Sequence, residues 1–289
     1  MAIYKALTIA GSDSGGGAGI QADLKTFQEL GVYGMSVITA VTAQNTLGVQ
    51  GVFPMSAQAV EQQLASIGAD LRPDALKTGM LFSSEIIQIV AAAIKSYKWE
   101  RVVVDPVMIA KGGASLLQQE AIDAMIKYLL PLADVVTPNI PEAEALSGIS
   151  ITDSESRQQA ARKIHAYGCQ HVMIKGGHEA DSVYATDLLY DGKSFTEYSS
   201  RRLHTPHTHG TGCTFAAAIT SGLAQGLPAA ESLHLAKNFI QAAIAEPLYI
   251  GSGHGPTNHW AYQRGQKQES TASSNAIIVS HDVYAGGTR

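Results

Sequence analysis

Apolar, β-branched segments alternate with segments of helical periodicity along most of the chain. Strands are predicted at six places, residues 6–10, 36–41, 75–78, 102–105, 135–137 and 171–175. Helices are predicted at residues 21–30, 56–67, 84–97, 118–129, 155–167 and 214–224. This alternation is typical of repeated βα units, in which helices cover both faces of a parallel sheet. The pattern therefore predicts an α/β fold with a doubly wound, mostly parallel central sheet flanked by helices.

Two further regions depart from the alternation. Residues 182–190 and 194–200 flank Asp191-Gly192, a dipeptide that favours tight turns, and are predicted to form a small antiparallel hairpin beside the parallel sheet. We expect residues 1–263 to form a single domain, because no repeat or interdomain linker interrupts them. Residues 264–275 are polar, so residues 264–289 are predicted to be a flexible tail, in which the segment 276–284 has no evident role.

A glycine-rich turn leads directly into a predicted helix in the segment HGTGCTFAAAI, residues 209–219. The first N–H groups of a helix lack partners within it, and the helix dipole adds partial positive charge, so residues 210–213 favour a bound anion. The same field is expected to lower the pKa of Cys213, whose thiolate is a base or nucleophile. The alternative is a small buried thiol behind a helix cap, which is the commoner situation for a cysteine taken alone.

A second glycine cluster, GSDSGGGAGIQAD at residues 11–23, follows the first predicted strand. Its consecutive glycines let the backbone approach a ligand that side chains would exclude, and Asp23 falls in the first turns of the next helix. The spacing does not fit the dinucleotide fingerprint, and the Gly-Lys-Ser sequence at residues 192–194 lacks the glycine that a P-loop carries five positions earlier. A nucleotide site in this chain would therefore be of another kind.

Polar residues follow the predicted strands at their carboxyl ends, where parallel α/β sheets bind ligands. Asp105 follows one strand, Asn139 and Glu142 follow the next, and Lys175 ends another. Each has a structural explanation when taken singly, as a turn cap, a helix cap or a solvated strand end. Their placement at one edge favours a phosphate site, since carboxylate and amide oxygens suit Mg²⁺ and lysine suits a polyphosphate.

Composition limits the classes of partner. The 289 residues are 45% hydrophobic with a net charge of -5, which fits a chain with an ample core and argues against binding to nucleic acid or an anionic membrane. The two cysteines offer no disulfide framework, and we expect no cleavable leader and no membrane helix. A reducing cytoplasm is the expected location.

Seven segments, in order along the chain, carry a resemblance to one enzyme family. They are residues 10–23, 39–46, 77–81, 105–107, 137–139, 175–178 and 209–213. With them the chain resembles the hydroxymethylpyrimidine and phosphomethylpyrimidine kinases of thiamin biosynthesis, which belong to the ribokinase-like superfamily. The resemblance runs to about Tyr262 and leaves the tail uncovered.

The resemblance implies transfer of the γ-phosphoryl group of ATP, with Mg²⁺, to 4-amino-5-hydroxymethyl-2-methylpyrimidine and then to its monophosphate. It places the pyrimidine pocket on Gly11, Asp23, Gln44, Met80 and Val107. It places the nucleotide near Asp105, Asn139, Lys175, Thr211 and Lys237, and the metal near Asp105 and Glu142. It places catalysis at Gly210, Gly212 and Cys213. Most sugar kinases of this fold carry an aspartate base where this chain has Cys213, which makes the thiol the candidate base. The family is commonly homodimeric.

Three other interpretations compete with this one. Some pyridoxal kinases descend from the same branch and keep the Gly-x-Gly-Cys turn, although Gln44 and Met80 favour the pyrimidine. A non-catalytic sensor on the kinase fold would predict loss of Asp105, Asn139 or Cys213, and all three are present. The group His204, His207, His209 and Cys213 has a spacing that superficially suits zinc, although its histidines fit the loop into the anion site better.

Overall fold

The computed structural model describes residues 2–108, 119–177, 183–269 and 278–282. Within these ranges ten strands form one sheet. They are β1 Lys5–Asp13, β2 Tyr33–Asn45, β3 Gly48–Pro54, β4 Ala75–Thr78, β5 Val102–Val104, β6 Val135–Val136, β7 His171–Ile174, β8 Tyr184–Tyr190, β9 Phe195–Arg201 and β10 Ile278–Asp282. Their order is β10-β9-β8-β7-β6-β5-β4-β1-β2-β3. The strands from β7 to β2 in this order pair in parallel, and β3, β8, β9 and β10 are antiparallel to their neighbours.

Helices cover both faces of the sheet. In the described ranges they are α1 Gly19–Glu29, α2 Ala57–Asp70, α3 Ser84–Ser96, α4 Gln119–Ala124, α5 Ile140–Ser147, α6 Ser154–His165, α7 Thr211–Ala224, α8 Ala229–Ala245 and α9 Ala261–Glu269. Helices α2 to α6 bury their apolar side chains in one core, and α1, α7 and α8 do so in a second core on the opposite face. The central strands are buried on both sides, which is why β5 and β6 consist only of valine.

The strand order places a crevice beside β1. This strand lies between β2 and β4, so the chain proceeds outward from it in two opposite directions. The connections that leave the carboxyl ends of β1 and β4 consequently diverge, and such a switch point is where open α/β sheets bind ligands. The fold therefore opens a site between the first glycine cluster and the loop after Thr78.

The predicted fold class is confirmed. Every predicted strand and helix has a counterpart, and β8 and β9 form the predicted hairpin, although residue 182 lies outside the described residues. The predicted helix 118–129 ends its α-helical part at Ala124 and continues as a π-helical turn over Met125–Leu129, and residue 118 is also outside. Strand β3 was not predicted, because two glycines interrupt its short apolar pattern.

The prediction of a flexible tail from residue 264 needs correction. Helix α9 crosses that boundary and continues to Glu269, in a stretch rich in Gln, Lys and Arg, which are good helix formers. Strand β10 then pairs antiparallel with the edge strand β9, with Ser280 opposite Glu197. Residues 270–277 and 283–289 lie outside the described residues. None of the helices in the described part of the chain combines the length and apolarity needed to cross a bilayer.

Candidate active site

A cavity of about 760 Å³ lies at the carboxyl edge of the sheet, beside the start of α7. Its lining includes all but one of the residues predicted to form the site. They are Gly11, Gln44, Met80, Asp105, Val107, Asn139, Glu142, Lys175, Gly210, Thr211, Gly212, Cys213 and Lys237. The fold thus brings to one surface residues that are more than 200 positions apart in the sequence.

Asp23 is the exception, since it is not part of the cavity lining. Its side chain is fully buried behind the cavity, where Lys77 Nζ lies 2.9 Å from each carboxylate oxygen and Thr8 Oγ1 donates at 2.6 Å. Burial raises the pKa of Asp23, and the Lys77 charge opposes that rise. Burial by itself lowers the pKa of Lys77, but the neighbouring carboxylates raise it above its ordinary value, so the lysine is charged. Asp23 therefore serves as the counter-charge of a buried lysine, and its contact with the substrate stays a prediction.

The two glycine clusters pack against each other at the start of α7. Gly210 precedes the helix with a left-handed φ of 81°. Only glycine fits there, because a Cβ would overlap the carbonyl oxygen of Gly17 as well as strain the backbone. Thr211 Oγ1 donates to the carbonyl of Thr208 at 2.6 Å, which fixes the turn. The N–H groups of Gly212 and Cys213 fall in the first turn, where no helical carbonyl can accept from them.

The predicted lowering of the Cys213 pKa is wrong in this structure. Burial raises the pKa of the thiol to about 12, and the charges of Asp23 and Asp105 also raise it. The Lys77 charge and the Gly19 N–H at the start of α1 lower it, but by less. The start of α1 and a lysine thus act on the sulfur, and the loss of hydration still outweighs them. Without a ligand, Cys213 is a protonated thiol at neutral pH.

We expect the alkylation rate of Cys213 by iodoacetamide to rise about tenfold per pH unit from about pH 7 to about pH 10, because the thiolate fraction limits the rate. The experiment uses a Cys169→Ala background, since Cys169 is also a free thiol. Mass spectrometry of the tryptic peptide follows the modification. A rate that levels off near pH 7 would mean that the helix starts overcome burial.

Asp105 and Glu142 share one lysine. Lys175 Nζ lies 3.0 Å from Asp105 Oδ1 and 4.0 Å from Glu142 Oε2. Thr137 Oγ1 also donates to Asp105 Oδ1, at 3.3 Å. Burial raises the pKa of Glu142 to about 7, Lys175 opposes this, and the Asp105 charge adds to it. The pair therefore carries more negative charge than one lysine neutralises, and a further cation would be stabilised here.

Asn139 and Glu142 are tied together at the start of α5. Asn139 Oδ1 accepts from the Glu142 N–H at 2.9 Å, and Glu142 Oε2 accepts from the Asn139 N–H at 2.8 Å. This capping box confirms the helix cap that the sequence offered as the structural explanation of Asn139. The Glu142 carboxylate accepts a further hydrogen bond from the Met108 backbone, and both Asn139 and Glu142 line the cavity.

Lys237 on α8 has a partner that sequence reasoning missed. Its Nζ lies 2.7 Å from Asp187 Oδ2 and donates to the carbonyl of Ala185 at 3.0 Å. Asp187 Oδ1 accepts from the Gly176 N–H, which joins β8 to the loop after β7. Gly176 allows this approach because a Cβ there would overlap the carbonyl oxygen of Thr186. The pair lines the cavity next to Lys175, so it borders the predicted nucleotide region.

The histidines of the loop before α7 do not form a metal cluster. In the described ranges no group of three or more His, Cys, Asp or Glu side chains is arranged to hold a metal ion. His209 instead lies 2.8 Å from Asp13 Oδ2, across the two glycine clusters. Asp13, Lys77 and Asp187 were not assigned roles from the sequence. Asp13 had a detectable signal, since its acceptor oxygens precede a glycine turn rich in free N–H groups.

Met80 and Val107 provide apolar surface beside Gly11. A Cβ at Gly11 would strike the Met80 methyl group, so this glycine makes room for the methionine side chain. Thr39 Oγ1 donates to the Met80 carbonyl at 2.6 Å and fixes the loop after β4. An apolar wall next to the Gln44 amide is suited to a flat, polar-edged ring.

Residues 13–258 match the family described as phosphomethylpyrimidine kinase. The chain belongs to this family. A hydroxymethylpyrimidine/phosphomethylpyrimidine kinase of Bacillus subtilis (strain 168) is 54% identical over 270 residues, which cover 93% of this chain and all of that relative. The match confirms the resemblance drawn from the seven segments.

Solved structures of similar sequence extend the comparison. A pyridoxal kinase of Bacillus subtilis in complex with ADP superposes with a TM-score of 0.85 at 46% identity, covering 91% of this chain and 99% of that one. A pyridoxal kinase of Staphylococcus aureus in complex with AMP-PCP and pyridoxal gives a TM-score of 0.87 at 40% identity, covering 97% and 100%. The phosphomethylpyrimidine kinase family thus shares its fold with pyridoxal kinases.

Proposed function

We propose that this chain is an ATP-dependent kinase that phosphorylates 4-amino-5-hydroxymethyl-2-methylpyrimidine and then converts the monophosphate to the diphosphate. The observation that carries this proposal is the 54% identity with a kinase of that name along the whole length of the relative. The ADP and AMP-PCP complexes of the pyridoxal kinases support ATP as the phosphoryl donor.

The site supports this chemistry through position and charge. Phosphoryl transfer passes through a loose transition state, so stabilisation of the phosphate oxygens matters more than early removal of the hydroxyl proton. The N–H groups at the start of α7 are suited to the transferred group, and Lys175 is suited to the phosphates of the nucleotide. The hydroxymethyl oxygen would approach Cys213, whose thiolate form, a small fraction at neutral pH, is the candidate to receive the hydroxyl proton as the bond to phosphorus forms.

Asp105 and Glu142 are suited to Mg²⁺. Magnesium is commonly held by one or two carboxylates together with substrate phosphates and water, and the two carboxylates here share only one lysine. The raised pKa of Glu142 also fits a site that gains from an added cation. When bound, the metal neutralises charge on the phosphate oxygens.

The second candidate function is phosphorylation of pyridoxal and related compounds. The pyridoxal kinases of similar fold favour it, at 40% and 46% identity. The relative of higher identity is named for the pyrimidine, and Gln44 offers an amide that pairs with an aminopyrimidine edge. The pyrimidine is therefore the principal substrate in our proposal.

Steady-state assays of the purified chain with Mg-ATP test this function. Hydroxymethylpyrimidine and its monophosphate should each yield a phosphorylated product together with ADP. An enzyme that turns over pyridoxal and leaves both pyrimidines untouched would overturn the proposal.

Gln44→Ala should lower kcat/KM for the pyrimidine by about five- to 150-fold, which corresponds to about 1–3 kcal/mol, since a polar edge of the substrate would lose its partner on burial. The KM for ATP should change little. Gln50→Ala is the matched control, because Gln50 lies on the neighbouring strand β3 and its amide donates locally to the Gly48 carbonyl. Equal kcat/KM values for the two variants would remove Gln44 from the pocket.

We extend the proposal to a homodimer in the cytoplasm. Three apolar side chains stand out from the β2–β3 hairpin, namely Val41, Leu47 and Phe53, exposed by 41%, 72% and 62%. A second copy of the chain would cover them. Both cysteines are free, which suits a reducing compartment. Light scattering of the purified chain tests the dimer, and a monomer mass at micromolar concentration would contradict it.

A further inference from the structure

Asp13 is an ionised acceptor at the junction of the two glycine clusters. Its oxygens accept from the N–H groups of Gly15, Gly17 and Ala18 at 2.8–3.0 Å. Burial by itself raises the pKa of Asp13, but these bonds and that from His209 lower it below its ordinary value. A carboxylate in this state can only accept hydrogen bonds.

The state of Asp13 determines which ring nitrogen of His209 carries hydrogen. His209 Nε2 lies 2.8 Å from Asp13 Oδ2, so it must donate and must hold a hydrogen. The same nitrogen lies 3.3 Å from the Gln44 atom assigned as Nε2. With that assignment, the N–H of His209 and the N–H group of Gln44 face each other, and neither has an acceptor in the other.

The other end of the Gln44 amide shows the opposite conflict. Thr42 Oγ1 donates to the carbonyl of Ser12 at 2.9 Å, and a hydroxyl has only one hydrogen to donate. The same hydroxyl lies 3.0 Å from the Gln44 atom assigned as Oε1, so its one hydrogen would have to serve two acceptors. Amide oxygen and nitrogen are distinguished by their hydrogen-bond network. Turning the amide over places its oxygen beside the His209 N–H and its N–H beside the Thr42 hydroxyl oxygen. A donor then faces an acceptor at both ends of the amide.

We infer that Asp13, His209 and Thr42 hold the Gln44 amide in one orientation, with its oxygen toward His209 and its nitrogen toward Thr42, and that this orientation selects the substrate ring. The inference deepens the proposed function and rests on it. The single hydrogen on His209 Nε2 stays bonded to Asp13 at 2.8 Å and makes a longer, shared contact of 3.3 Å with the amide oxygen, and the amide donates to Thr42. Asp13, His209 and Thr42 act as positioning residues.

The fixed amide keeps one N–H and one lone pair for a ligand. In the pyrimidine, the amino group donates and the adjacent ring nitrogen accepts, which is complementary to an amide edge. Pyridoxal carries an aldehyde, an acceptor, at the position where the pyrimidine carries its amino group. The aldehyde oxygen would need the amide N–H at the place where the amino group needs the amide oxygen, so the amide would have to turn over. In that orientation the amide N–H would again face the His209 N–H, and the amide oxygen would again compete for the Thr42 hydrogen. The locked amide therefore favours the pyrimidine over pyridoxal.

Thr42→Val tests the inference, because it keeps the shape of the side chain and removes the hydroxyl. We expect the ratio of kcat/KM for the pyrimidine to that for pyridoxal to fall about tenfold, mainly through a higher pyrimidine KM. Thr42→Ser keeps the hydroxyl and should restore the ratio. An unchanged ratio in a folded Thr42→Val enzyme would overturn the inference.

Neutron diffraction from deuterated crystals of the unliganded wild-type chain gives a readout that needs no activity and no variant. The expected map has a deuteron on His209 Nε2 and the ND₂ group of Gln44 beside Thr42. An ND₂ group beside His209 would overturn the inference even where the variants lose selectivity. A wild-type enzyme that fails to phosphorylate the pyrimidine would instead overturn the proposed function. The neutron map would still report the orientation of the Gln44 amide, because it does not depend on activity.

Discussion

Replacing Cys213 with alanine should lower kcat for the pyrimidine by about 10²-fold, because a positioned base is commonly worth about that much or more. Nucleotide binding should survive, since the N–H groups of residues 210–213 belong to the backbone and remain in the variant. Steady-state kinetics with a nucleotide titration measures both quantities. Cys169→Ala is the matched control, because Cys169 is a buried thiol that donates to the carbonyl of Ile164 far from the cavity lining.

The pH dependence of kcat separates base catalysis from packing. A thiol whose pKa is raised to about 12 is mostly protonated at neutral pH, so its basic form becomes more abundant as pH rises. The wild-type kcat should therefore climb steadily from about pH 7 to about pH 10, and the Cys213→Ala profile should be flatter. A Cys213→Ala enzyme with near-normal kcat would show that the thiol only fills space.

Lys77→Met should lower the free energy of unfolding by about 3–5 kcal/mol at neutral pH, because it leaves the Asp23 carboxylate buried without its counter-charge. Denaturant titration followed by circular dichroism measures the loss. Lys5→Met is the matched control. Lys5 pairs with Asp74 at 3.5 Å on the surface, and its loss should cost less than about 1 kcal/mol.

The loss of unfolding free energy caused by Lys77→Met should become smaller as pH falls. Burial raises the pKa of Asp23, and without Lys77 nothing comparable opposes the rise, so the folded state binds a proton that the unfolded state releases. Stability from such a group is present at low pH and is lost as pH rises through the folded pKa. Adding Asp23→Asn should restore most of the stability at neutral pH. A deficit that grows on acidification would contradict this account of the pair.

The order of the elements could be predicted because the central strands are buried on both faces. That burial makes β5 and β6 runs of valine, and helices separate the strands at regular intervals. The site could be predicted for the same reason, since Asp105 and Lys175 come directly after strands and Asn139 lies three residues after another, and all three strands end at one edge. Strand β3 escaped prediction because it depends on pairing with β2 and has little apolar pattern of its own.

Charges and protonation states could not be predicted, because they depend on groups that are distant in sequence. The helix start at Cys213 is visible in the sequence, but the burial that raises the thiol pKa is contributed by the whole fold. Asp23 occupies a motif position that suits a ligand, yet Lys77 from β4 takes both of its oxygens. In the same way, the pairing of Ile278–Asp282 with the edge strand β9 could not be predicted, because the partner strand is distant in the sequence.

An internal competition assay tests the central claim most directly. The purified chain is incubated with Mg-ATP and equal concentrations of hydroxymethylpyrimidine and pyridoxal, and mass spectrometry follows both phosphorylated products from the earliest times. The product ratio equals the ratio of the two kcat/KM values. We expect the pyrimidine product to lead by at least about tenfold and then to gain a second phosphate. A lead for pyridoxal phosphate would contradict the account.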